Sequence, residues 1–139
     1  MPKIKSLKPF IPAYTFAALI LVGSSIPTDS LDQLQRQSPI LEILLSDFVI
    51  HFAAFGLLAL LLGFGYIKAK KLRLWWAKAA SLSLFVGLLV EAIQFFIPYR
   101  DFSIRDLVVD ILGIVTVLVP YAVLNMEYFR TRDKETAMR

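Results

Sequence analysis

Four near-continuous apolar runs divide the chain, at 10–27, 48–67, 76–97 and 107–124. An α-helix needs about 20 mostly apolar residues to cross a hydrocarbon layer of about 30 Å, and all four runs approach that length. Stretches such as LLALLLGFGYI and LVVDILGIVTVLV lack the alternating polarity of a membrane β-strand and outlast one. The fold expected is therefore all-α: an integral membrane bundle of four transmembrane helices, with residues 1–139 forming a single domain. Composition agrees, at 58% apolar and 19% charged, where a soluble domain carries about 45–50% and about 25%. The main expected partner is the lipid bilayer itself.

Basic residues resist translocation, so their distribution sets orientation. Lys3, Lys5 and Lys8 precede the first run, Lys68, Lys70, Lys71, Arg73 and Lys78 surround the second connection, and Arg130, Arg132, Lys134 and Arg139 follow the last run; of the 15 basic residues only Arg36, Arg100 and Arg105 lie elsewhere. Both termini are expected in the cytoplasm, with connections 28–47 and 98–106 outside. The lysines before the first run and Gly23, Ser24 and Ser25 near its end also resemble a signal peptide. No A-x-A site stands there, and losing the segment would put the tail on the wrong side. The basic second connection, with Trp75 and Trp76 beside it, reads as an interfacial anchor on anionic lipid. Topology explains its charge, and no nucleic-acid partner is expected. A short amphipathic helix is expected at SPILEILLS, a kink at Pro120 and a frayed tail after Asn125.

Without cysteine, disulfides, thiolate nucleophiles and Cys-based metal centres are excluded. Ionisable groups inside spans are costly and usually face the bundle interior. Here they fall on helical stripes: Asp47 with His51, Gly87 with Glu91 and Gln94, and Asp106 with Asp110 and Gly113. At 1.5 Å per residue, His51 and Asp110 each lie about 6 Å inside the outer boundary and Glu91 about 9 Å. An outward-facing polar pocket is expected, roofed by PYRDFSIRD with its arginines Arg100 and Arg105. The candidate binding residues are His51, Glu91, Gln94, Arg100, Arg105, Asp106 and Asp110. Were Asp47, Glu91, Asp106 and Asp110 all ionised, two arginines and a neutral His51 would leave the cluster negative, which a low-dielectric site tolerates poorly. A proton retained on a carboxyl or on His51, a bound cation or a cationic group on a ligand would each compensate. With one histidine and no cysteine, a divalent ion would be oxygen-bound, and the expected site contains no metal. No GxSxG, HExxH or Walker sequence is present, so no cofactor is expected and no nucleophile marks a reaction. Glu91 and Gln94 also fit a purely structural role as polar links between helices.

The segments DFVIHFAAFGLLAL and EAIQFFIPYRDFSIRDLVVDILG, with SSIP closing the first run, resemble the VanZ-like family of small bacterial membrane proteins. The family pattern is Asp-Lys-x-x-His, then Glu-x-x-Gln, Pro-x-Arg, Ser-x-x-Asp and Asn-x-x-Gly. It falls on Asp47 and His51, on Glu91 and Gln94, on Pro98 and Arg100, on Ser103 and Asp106, and on Gly113. Phe48 stands at the lysine position and Asp110 at the asparagine position, so this pocket is more acidic than the family's usual one. The resemblance implies a bacterial plasma-membrane protein associated with the cell envelope, since the name-giving member is tied to resistance to the glycopeptide teicoplanin. It supplies no reaction.

Three functional expectations follow. In the first, the pocket binds an envelope component such as a lipid-linked wall precursor or an anionic headgroup, with Arg100 and Arg105 taking anionic groups bidentately. In the second, the chain is an enzyme on an envelope lipid or glycan, with Glu91 or Asp110 as general base. In the third, it is a membrane scaffold for other proteins.

Overall fold

A computed structural model describes residues 7–25, 35–70, 73–97 and 102–137, with side chains in the last segment described as far as Asn125. All regular structure in these residues is helical. A 3-10 turn, Lys8–Phe10, leads into α1, Ile11–Ser24; α2 is Pro39–Leu44, α3 Asp47–Lys68, α4 Trp75–Phe95 and α5 Ile104–Ala137. Helices α3, α4 and the Ile104–Asn125 part of α5 are long and apolar enough to span a membrane, and Lys8–Ser24 forms a shorter apolar helix. With its leading turn, α1 rises about 27 Å, close to the thickness of the hydrocarbon layer. The last residues expected in that first span, Ile26 and Pro27, lie outside the described residues.

Local chemistry sets the helix starts. Ser38 and Ser46 cap α2 and α3, their hydroxyls accepting the backbone N–H of Ile40 at 3.3 Å and of Val49 at 3.4 Å. Pro39 occupies the first turn of α2, where its missing N–H costs nothing. Helix α5 continues through Pro120 to Ala137 and does not stop near Asn125. After Pro120 the chain contains no glycine or proline to end it.

Helix α3 is the hub, in contact with α1, α2, α4 and α5, and its most extensive contact is with α5. Glycine permits that approach. A Cβ on Gly113 would run into the backbone carbonyl of Phe52, and one on Gly56 would lie 3.1 Å from the carbonyl oxygen of Gly113. The core follows the buried stripes: Phe55, Leu58, Ala59 and Leu62 on α3, Ala79, Val86 and Val90 on α4, and Ile114 and Leu118 on α5. Outward, Leu57, Phe64, Phe85, Leu88, Val115 and Val119 are all exposed. Only 28% of the apolar stretch of α5 is buried within the chain. Such a surface is at home in lipid and not in water.

The two ends of the bundle differ. At one end Phe10 packs edge-on to Tyr66, and Trp75 packs edge-on to Tyr121 and against Gly63. Trp75 is a core residue there, while Trp76 faces outward; the interfacial anchor read from the pair falls to Trp76 alone. Lys70 and Leu74 turn the α3–α4 connection through left-handed backbone, with φ of 57° and 52°. At the other end, the start of α3, the close of α4 and the start of α5 bring the polar stripes together.

Candidate functional site

His51 rises from the second turn of α3 and reaches across to α5, where its Nδ1 lies 2.9 Å from Asp110 Oδ1. The imidazole also stacks on Phe55, with ring centroids 5.9 Å apart. Asp110 is fully buried, and its second oxygen, Oδ2, sits against Gly87 of α4, where a Cβ would come within 2.7 Å of it. The absent side chain of Gly87 is therefore what admits the carboxylate between α3 and α4. Sequence periodicity places Gly87 on the Glu91 stripe, and the structure shows it serving as the seat of the residue facing it.

Glu91, one turn further along α4, is also fully buried. Its Oε2 accepts the backbone N–H of Ser103 at 2.7 Å, which ties the close of α4 to the start of α5. Ser103 is the N-cap of α5, its hydroxyl accepting the N–H of Asp106 at 3.2 Å. In a capping box the acidic residue three positions on reaches back to the cap's own N–H. Glu91 holds that N–H here, so the half-buried carboxylate of Asp106 is released from the role. The S-x-x-D spacing of Ser103 and Asp106 is a capping signal readable in the sequence, but nothing in it shows that a glutamate from another helix completes the box.

The structure thus gathers His51, Glu91, Asp106 and Asp110 from three helices. One donor atom from each of His51, Glu91 and Asp106 lies within 4.8 Å of the other two. Among the described residues, Glu91 Oε1 and Asp110 Oδ2 are buried without a hydrogen-bond partner, as is the hydroxyl of Ser83, further along the same face of α4. Arg105 is exposed on the first turn of α5 and makes no ion pair among the described residues. Arg100 and Pro98 lie outside the described residues.

Beside this cluster lies a cavity of about 290 Å³ between α1, α3 and α4. Phe16 and Ile20 of α1, Ile50, Ala54 and Phe55 of α3 and Val90 of α4 form its apolar wall. Asp47, His51 and Gln94 supply its polar margin, with Ser24 from the close of α1. Gln94 and Asp47, read from the sequence as part of the polar stripes, therefore line the cavity, and His51 belongs to both cavity and cluster.

No curated protein and no solved structure shows significant similarity to the chain. The VanZ/LLP1 family model matches residues 10–125, which contain every polar residue described at this end of the bundle, and the chain belongs to that family.

Proposed function

We propose that this VanZ/LLP1 membrane protein resides in the bacterial plasma membrane with both termini cytoplasmic, and that its outward-facing end binds an envelope amphiphile. The observation that carries this reading is the cavity between α1, α3 and α4. Its apolar wall suits an acyl or polyprenyl chain, and its margin of Asp47, His51 and Gln94 suits a polar headgroup. At about 290 Å³ it falls close to the lower bound of ligand sites, about 300 Å³. Arg105, exposed at the same end, is the positive charge that an anionic headgroup would meet. On this reading the bound component is a lipid-linked wall precursor, and its binding would bear on glycopeptide susceptibility.

The test uses full-length protein in nanodiscs and a polyprenyl diphosphate as probe, with phosphatidylglycerol as the competing membrane lipid. Ala54→Phe fills the cavity from its wall and is expected to weaken polyprenyl binding about tenfold or more, a loss of about 1.4 kcal/mol, while thermal unfolding in detergent stays unchanged. Equal binding by Ala54→Phe and parent would refute the cavity as the site. Phosphate release from the probe by the parent, lost in Glu91→Gln, would convert the binding protein into an enzyme.

A further inference from the structure

Glu91 and Asp110 are both 0% exposed, and each has one carboxylate oxygen without a hydrogen-bond partner among the described residues. Buried charge needs a counter-charge. His51, the only histidine in the chain, is already engaged by Asp110 through Nδ1. Asp106 adds a third carboxylate at the half-buried edge of the group. Ionised, three acids would outweigh the charge of one imidazole, and no lysine or arginine among the described residues pairs with them.

The geometry points to a divalent cation. Around an ion with metal–ligand distances of about 2.1 Å, octahedral neighbours stand about 3 Å apart and opposite ligands about 4.2 Å. The donors of His51, Glu91 and Asp106 are already within 4.8 Å of one another, so side-chain movement that closes the gaps by no more than about 1.8 Å would bring them onto a single ion. We propose that His51, Glu91 and Asp106 are the ligands of a divalent cation, and that Asp110 is a positioning residue acting through His51.

Each side chain is prepared for that role by a contact of its own. With Nδ1–H of His51 donated to Asp110, the imidazole keeps its Nε2 lone pair for a metal, the carboxylate–histidine arrangement that orients ligands in metal centres. Glu91 is held by Oε2 against the Ser103 N–H, which leaves Oε1 free. Asp106 is released from helix capping because Glu91 has taken its place. The sequence, with its lone histidine, points to oxygen-bound magnesium or calcium if to any metal. The assembled set of one imidazole and two carboxylates instead suits manganese, which accepts both donor types. The ion would also reconcile an anionic headgroup with acidic walls, but the site does not depend on the amphiphile reading.

The experiment titrates chelator-treated, full-length protein in detergent with MnCl₂ and no lipid ligand, following free Mn²⁺ by electron paramagnetic resonance. Saturable, stoichiometric uptake is expected, with nitrogen coupling from one imidazole in the bound spectrum. Asp106→Asn, on the half-buried edge, is expected to abolish saturable uptake while unfolding as the parent does, and Asp110→Asn to weaken it about 10- to 100-fold. Glu42→Gln, on the exposed surface of α2, is the control and should bind as the parent. No saturable uptake, uptake unaffected by Asp106→Asn, or a bound spectrum without nitrogen coupling would each overturn the assignment. Since the titration contains no lipid, its failure would leave the cavity proposal to its own test.

Discussion

At Gly87 the decisive feature is a missing methyl group. A Cβ there would sit 2.7 Å from Asp110 Oδ2, and a fully buried carboxylate held on its other side by His51 has little room to withdraw. Overpacking of this kind costs about 1–3 kcal/mol. Gly87→Ala is therefore expected to lower the thermal unfolding midpoint in detergent and to loosen the His51–Asp110 contact, visible as a changed imidazole resonance. Gly23 is the control, because a Cβ there meets nothing within 4 Å. Gly23→Ala should leave the midpoint unchanged or raise it slightly, as replacing a helical glycine does. An equal response in the two variants would contradict the steric argument. These residues show where sequence reading succeeds and where it stops. Helical spacing places His51, Glu91 and Asp110 on inward stripes, but it is silent on the rotation and height of one helix against another. It therefore could not show that His51 meets Asp110, that Gly87 seats that aspartate, or that Arg105 stands apart from the carboxylates.

At the level of the helix, α5 begins with Ser103, and the first turn carries Asp106 into the cluster. Ser103→Ala removes the hydroxyl cap but keeps the backbone N–H that Glu91 holds. A loss of about 1 kcal/mol is expected, concentrated as faster amide exchange in the first turn of α5, with the α4 link intact. Exchange that accelerates equally at the close of α4 would mean that the cap and the Glu91 contact act as one unit. Span positions are the most legible part of the fold, because the apolar runs 48–67 and 76–97 fall almost entirely on α3 and α4. The helix beyond Asn125 is less legible, since its charged residues read equally well as a solvated tail. So is the burial of Trp75, because two adjacent tryptophans beside a basic loop both fit an interface until Gly63 is seen making room for one.

Across the whole molecule, the polar cluster and the aromatic packing occupy opposite ends, and the basic connection between α3 and α4 lies at the aromatic end. The chain contains no cysteine, so single-cysteine variants read orientation cleanly. Gln37→Cys is expected to react with a membrane-impermeant maleimide in intact cells, whereas Ser6→Cys, Lys70→Cys and Thr136→Cys should react only after permeabilisation. The reverse pattern would place the carboxylate cluster on the cytoplasmic side and remove the envelope reading. The close packing of α3 on α5, helices separated in sequence by all of α4, also imposes an order on biogenesis. His51 and Asp110 are 59 residues apart, so the histidine enters the bilayer before its partner has been synthesised. A copy in which α5 has not seated leaves an imidazole and a carboxylate facing hydrocarbon, and that polar exposure distinguishes the unfinished protein from the finished one.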